Sequence, residues 1–112
     1  MAKASEVTVE IDAKEVPILD GAVDMAEMGI IPEGMYKNMY YASKDVELAG
    51  DVKEAVKDVF YDPQTAGGLL ISVKADLAEA LAEDMKKNGS LEAKIIGQVV
   101  EKKDEDKYIK II

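Results

Sequence analysis

Hydrophobic and polar residues alternate cleanly from Ser5 to Ile11, with Val7, Val9 and Ile11 on one face and Glu6, Thr8 and Glu10 on the other. That period of two predicts a half-buried strand. After Pro17 the spacing changes. Asp20 is placed to cap a short helix carrying Ala22, Val23, Met25 and Ala26 inward, and Gly29 suits the left-handed residue that ends such a helix. Pro32 and Gly34 predict a turn, and Met35–Ala42, with its three tyrosines, fits a strand or an extended loop. A second short helix is expected behind Asp51 as cap, with Val52, Ala55, Val56 and Val59 at helical spacing and Phe60-Tyr61 closing it.

Residues Asp62–Gly68 break the pattern, because Pro63 drives its predecessor out of the α region and two glycines follow. Leu69–Val73 is a continuous apolar run of strand length, the pattern of a strand covered on both faces. Asp76 and Glu79 resemble a capping box opening a helix from Leu77 to about Lys87, with Leu77, Ala78, Leu81, Ala82 and Met85 as its apolar stripe and Asn88-Gly89 as its stop. Ala93–Val100 reads as a strand, Asp104-Glu105-Asp106 as part of a polar turn, and Tyr108–Ile112 as the partner strand of a hairpin. This order predicts one α+β domain over residues 1–112, a mixed or antiparallel sheet with helices packed on it. Met1–Ala4 is helix-friendly but too short to be a stable helix alone, which reads as the tail of a longer one.

Composition narrows the chemistry sharply. The 112 residues include no Cys, His or Trp, and all 14 cations are Lys. Thiolate and imidazole metal ligands, disulfides, histidine general bases and arginine clamps are therefore excluded on inventory. With 23 acids the net charge is −9, so neither a nucleic-acid backbone nor an anionic bilayer is an expected partner. No apolar run reaches the roughly 18 residues that a membrane span needs, and the expected setting is the cytoplasm.

Few residues point to chemistry by themselves. Asp62–Gly68 is open to two readings: a loop whose glycines admit a ligand or a neighbouring backbone, or a tight connection into the following strand. Spacing favours the connection, since this is neither a dinucleotide turn nor a Walker loop, and phosphate cradles usually precede a helix rather than a strand. The acidic turn at residues 104–106 lacks calcium-loop spacing and reads as solvated. Tyr36, Tyr40 and Tyr41 fit a stacking surface or ordinary packing equally well, with Lys37 and Asn38 as polar neighbours.

The string Asp62-Pro63-Gln64-Thr65-Ala66-Gly67-Gly68-Leu69-Leu70 closely resembles the DPQTSGGLL signature of the selenophosphate synthetase (selenide, water dikinase) family. Pro17–Ala22 is similar to the family segment entering its first short helix. Gly29-Ile30-Ile31-Pro32-Glu33-Gly34-Met35-Tyr36-Lys37-Asn38 is similar to its G-x-x-P-G-G-T-x-R-N stretch, and Ile96–Val100 to its closing I-G-x-V strand. Four positions depart: Ala66 stands for Ser, Glu33 for Gly, Met35 for Thr and Lys37 for Arg. A lysine lacks the planar fork with which arginine grips an anion at two points. Sister families with the same architecture, the hydrogenase-maturation and thiamine-phosphate kinase relatives, lack the complete signature.

The resemblance implies the C-terminal domain of an aminoimidazole-ribonucleotide-synthetase-like enzyme, beginning inside that domain and lacking its first helix. It implies a whole enzyme that converts ATP, selenide and water to selenophosphate, phosphate and AMP with Mg2+, as a homodimer. The reactive Cys or selenocysteine and most metal-binding aspartates belong to the family's N-terminal domain, the expected partner. For this chain alone the expectation is no bound cofactor and no catalysis, with Asp62, Gln64, Thr65, Gly67, Gly68 and Asn38 helping to wall a nucleotide cleft. The alternative is a stand-alone protein-binding or assembly module derived from the family.

Overall fold

A computed structural model describes residues 1–103, 105 and 107–112. The elements in chain order are α1 (Ala2–Ser5), β1 (Val7–Ile11), α2 (Ala22–Glu27), α3 (Glu33–Ala42), β2 (Val46–Leu48), α4 (Glu54–Phe60), α5 (Ala75–Lys87), β3 (Gly97–Glu101) and β4 (Ile109–Ile111). A short 3-10 turn, Ser43–Asp45, joins α3 to β2. The four strands form one mixed sheet in the order β2-β4-β1-β3, with helices around it, the α+β architecture expected.

β1 organises the sheet. It pairs antiparallel with β3, Val7 opposite Glu101 through Ile11 opposite Gly97, and parallel with β4, Val9 opposite Ile109 through Ile11 opposite Ile111. β2 adds parallel to the far edge of β4. Parallel neighbours need crossover connections: α4, α5 and β3 lie between β2 and its neighbour β4, while α2 and α3 carry the chain from β1 past the place of β4 to the edge strand β2. The expected β3–β4 hairpin is corrected here: the chain does reverse between the two, but β1 lies between them. Residues 102–108 make a longer connection than a tight hairpin uses, and the Val9 amide donates to the Tyr108 carbonyl at 2.9 Å across the gap. Asp104 and Asp106 of the acidic turn lie outside the described residues.

The polar face of β1 also departs from expectation. Thr8 is completely buried while Val7, Val9 and Ile11 are only half-buried. The Thr8 hydroxyl donates to the Lys107 carbonyl at 2.8 Å, so the returning connection closes over it. A buried hydroxyl is tolerated because it is paired. Nearby, the Tyr108 ring has the Lys3 ammonium 5.7 Å and the Lys102 ammonium 5.3 Å from its centre, tying the connection to α1.

Helix ends follow the glycines rather than the acidic caps. α2 is followed by Gly29 at φ 77°, with the Ile30 amide on the Met25 carbonyl and the Gly29 amide on the Ala26 carbonyl. α5 ends the same way at Gly89, φ 101°, with Ser90 on Met85 and Gly89 on Lys86. Both are Schellman motifs, and Gly is the residue that takes this conformation without a Cβ penalty. By contrast, Asp20, Asp51 and Asp76 cap nothing. The N-cap positions are Gly21, Lys53 and Lys74, none with a side-chain cap bond. Each helix starts one or two residues away from where its acid would have placed it. Met25 is exposed rather than inward, and Leu77 is likewise exposed on α5.

Two segments change class. Met35–Ala42 lies within helix α3 and not in a strand, because Met35, Met39 and Ala42 form a helical stripe toward the interior and Met35 is 1% exposed. Tyr36, Tyr40 and Tyr41 face outward. Leu69–Val73 forms no strand and pairs with no other, although its sequence has the pattern of a fully covered one. Ala93–Val100 is strand only from Gly97.

Six described residues are buried: Ala2, Thr8, Met35, Ala55, Tyr61 and Ile111. The radius of gyration is 14.8 Å, against about 13 Å for a compact domain of this length. The accessible surface is 8419 Å², where a folded monomer of this mass has about 6,000 Å². No helix is long and apolar enough to cross a membrane among the described residues.

Candidate functional site

The glycine-rich loop leaves the end of α4 through Tyr61, the one tyrosine that is buried. The Tyr61 amide donates to Asp58 and the Asp62 amide to Val59, both at 3.1 Å, so helical hydrogen bonding runs into the loop before Pro63 stops it. The Gln64 amide then turns back onto the Asp62 carbonyl at 3.0 Å. Burial raises the pKa of the Tyr61 phenol above 10.0, and the nearby Lys57 ammonium offsets part of that rise.

α3 holds the entry to this loop at two points. The Asn38 side-chain amide donates to the Tyr61 carbonyl at 2.9 Å. Gly34 lies against the Pro63 ring, where a Cβ on residue 34 would come within 2.8 Å of Pro63 Cγ. That approach is closer than a real side chain allows, so the contact itself requires glycine. The stretch around residues 29–38 and the loop beginning at Asp62 are thus packed together in space, although nothing in their spacing predicts it.

The remainder of the loop is open. Half-buried Asp62 sits at the anchored end, while Gln64, Thr65, Gly67 and Gly68 are all exposed. Neither Gly67 nor Gly68 adopts a left-handed conformation. The group closest to Gly67 is the Gln64 side chain, whose Oε1 occupies the space a Cβ would need, while Gly68 has nothing near it. The loop is therefore fixed at Tyr61–Pro63 and free over its glycine half. Of the six expected site residues, Asn38 and Asp62 are brought to the anchor and the other four project beyond it.

Lys37, next to Asn38, is engaged with Glu33 one helical turn earlier, at 2.8 Å. Both side chains are exposed, and such a pair contributes only a few tenths of a kcal/mol. Two of the departures from the family pattern, Glu33 and Lys37, thus satisfy each other. Nothing in the sequence pairs Gly34 with Pro63; the one signal is a glycine two residues after Pro32, at the start of a segment with one apolar residue per turn. No group of three or more acidic residues that could hold a metal is present among the described residues. The described side chains therefore gather no magnesium centre, and no chemical step through that ion follows from them.

The family model for the AIR synthase related protein, C-terminal domain, matches residues 1–110. The chain is 64% identical over 112 residues to the selenide, water dikinase of Clostridioides difficile (strain 630), covering 32% of that protein. It is 51% identical over 112 residues to selenide, water dikinase 2 of Peptoclostridium acidaminophilum, covering 31% of it. Against the selenide, water dikinase of Clostridium botulinum (strain Eklund 17B / Type B) it is 43% identical over 110 residues and covers 32%. The chain spans about a third of the length of these relatives.

Proposed function

The chain belongs to the AIR synthase related protein, C-terminal domain family, with selenide, water dikinases as its relatives, and from that premise we propose that it is the C-terminal third of such an enzyme. The whole enzyme would make selenophosphate, phosphate and AMP from ATP, selenide and water in the cytoplasm, with Mg2+ supplied to the phosphates by the other two-thirds. In this reading the chain has no catalytic residue of its own. It presents a loop anchored at its start to the nucleotide cleft and is silent in isolation.

The observation that carries this reading is the loop anchored at one end only. Asn38 and Gly34 fix Tyr61–Pro63, and Thr65–Gly68 is left exposed with backbone amides to offer. Anchoring the loop at its start shortens the segment that must be ordered when a substrate arrives. Phosphoryl transfer also needs concentrated positive charge around the transferring group. With a net charge of −9, no Arg in the sequence, and Lys37 paired with Glu33, the chain supplies shape rather than charge.

Calorimetric titration of the chain with Mg-ATP tests this. Binding in the millimolar range or weaker is expected. Micromolar binding would mean that the chain holds a complete nucleotide site and is more than a wall. A stand-alone binding module remains the second reading, favoured only by the exposed apolar residues Leu69, Leu70, Ile71 and Val73.

A further inference from the structure

Asn88-Gly89, where α5 stops, is a reactive pair that plays no part in walling a cleft. Asparagine is among the thermolabile side chains, and a glycine after it offers a backbone nitrogen with no Cβ to shield it. Both residues are exposed. A Cβ built on Gly89 would meet nothing within 4 Å, so no neighbouring segment crowds the peptide between them. The one other asparagine in the sequence, Asn38, precedes Met39 inside α3 and donates to the Tyr61 carbonyl.

We propose that Asn88 is a deamidation site and that the hydrogen bonds ending α5 set its rate. The Gly89 nitrogen gives its proton to solvent base and attacks Asn88 Cγ. The N–Cγ bond forms as the Cγ–Nδ2 bond breaks, and Nδ2 leaves as ammonia with a proton taken from water. Water then opens the cyclic imide at either carbonyl. The product is aspartate, or an isoaspartate whose main chain runs through the former side chain.

The folded helix end opposes the first step. With the Asn88 ψ at 16°, the Gly89 nitrogen lies well off the Cα–Cβ direction, so the five-membered ring closes only after rotation about ψ. That rotation pulls the Gly89 amide from the Lys86 carbonyl, 3.2 Å away, and the Ser90 amide from the Met85 carbonyl, 2.9 Å away. The Asn88 side-chain amide is itself held back along the helix, donating to the Asp84 carbonyl at 2.8 Å. All three bonds belong to a largely exposed final turn, the part of a helix that opens most readily. Lys86 and Lys87 stand in the same turn, where ammonium groups favour the oxyanion formed in the attack.

The products do not fit the turn that the amide fitted. A carboxylate at position 88 meets the negative end of the helix dipole and has no proton to donate to the Asp84 carbonyl. The extra main-chain carbon of isoaspartate spoils the spacing of the Schellman motif at Gly89. Deamidation at Asn88 therefore loosens the end of α5, whichever function the chain serves.

Peptide mass spectrometry tests the site and its control. The chain is incubated in mildly alkaline buffer with and without urea, and the tryptic peptide Asn88–Lys94 is compared with an unincubated control. The mass gain of an amide converted to an acid is expected at Asn88 in both, about 10-fold slower without urea, with Asn38 unchanged over the same time. Asp20-Gly21 can close a similar imide, but without a mass change, so it does not enter the reading. The slowing should match, within about threefold, the protection of the Gly89 and Ser90 amides against hydrogen exchange, because one opening of the turn admits both reactions. Asn88→Asp, carrying the product's charge, should speed exchange at those two amides about threefold. Absence of a mass gain at Asn88 without urea overturns the site. Equal rates with and without urea overturn the control by α5, whether its last turn is unformed or merely unrestraining, and so does a slowing that amide protection does not match. Unchanged exchange in Asn88→Asp overturns the loosening.

Discussion

β1 and Leu69–Val73 are both five residues long, and the more hydrophobic of the two is the more exposed. β1 alternates Val-Thr-Val-Glu-Ile, pairs on both edges and contains the fully buried Thr8. Leu69–Val73 has four large apolar residues out of five, pairs with nothing, and leaves all four exposed. The difference shows that burial here is decided by available partners rather than by hydropathy. A polar hydroxyl is inside because the Lys107 carbonyl meets it, and an apolar run is outside because no strand among the described residues receives it.

Truncation experiments put numbers on that contrast. Ile111→Ala, in the strand between β1 and β2, should lower the unfolding free energy by about 2–5 kcal/mol in urea titrations. Leu70→Ala removes as much hydrocarbon and should change it by less than about 0.5 kcal/mol in the chain alone. Equal losses at the two sites would erase the contrast. Thr8→Val keeps the shape but strands the Lys107 carbonyl, and about 1–3 kcal/mol of stability should be lost, again by urea unfolding. If Thr8→Val is neutral, the pairing explanation fails at its most buried point.

Asn38 stands between the two regions, since it ties α3 to the start of the exposed stretch. Asn38→Ala should cost about 0.5–1.5 kcal/mol and accelerate amide exchange at Asp62 and Gln64, while exchange in β1 stays as it was. The smallest expected effect is a pH dependence. Burial raises the Tyr61 pKa in the folded chain, so between about pH 10 and that raised value the unfolded phenol loses its proton first. Stability should therefore fall as pH rises above 10, and Tyr61→Phe should flatten that part of the alkaline limb. An unchanged slope in thermal melts from pH 9 to 11 would show that Tyr61 is not desolvated.

Much of this organisation was legible in the residues, and what was not has identifiable causes. The β1 alternation, the glycine stops at Gly29 and Gly89, the irregular loop at Asp62–Gly68 and the α+β class all follow from local chemistry, and each is present. The acidic caps failed because several acids lie near each helix start and the backbone chose a different first turn. α3 was obscured by three tyrosines, which suit strands as readily as an exposed helix face. The β3–β4 arrangement was hidden because sequence proximity says nothing about a third strand inserted between two others. At the site, the signature loop was visible in the sequence, whereas its anchor was not. Gly34 against Pro63, and Asn38 on the Tyr61 carbonyl, are contacts between separate segments that only the fold reveals.

The decisive measurement is AMP release in the presence of Mg-ATP and selenide, comparing the purified chain with the chain joined to the remaining two-thirds of a relative. The expected result is selenide-dependent AMP from the joined protein and none from the chain alone. Selenide-dependent turnover by the isolated 112 residues would contradict the reading of this domain as a wall for chemistry carried out elsewhere.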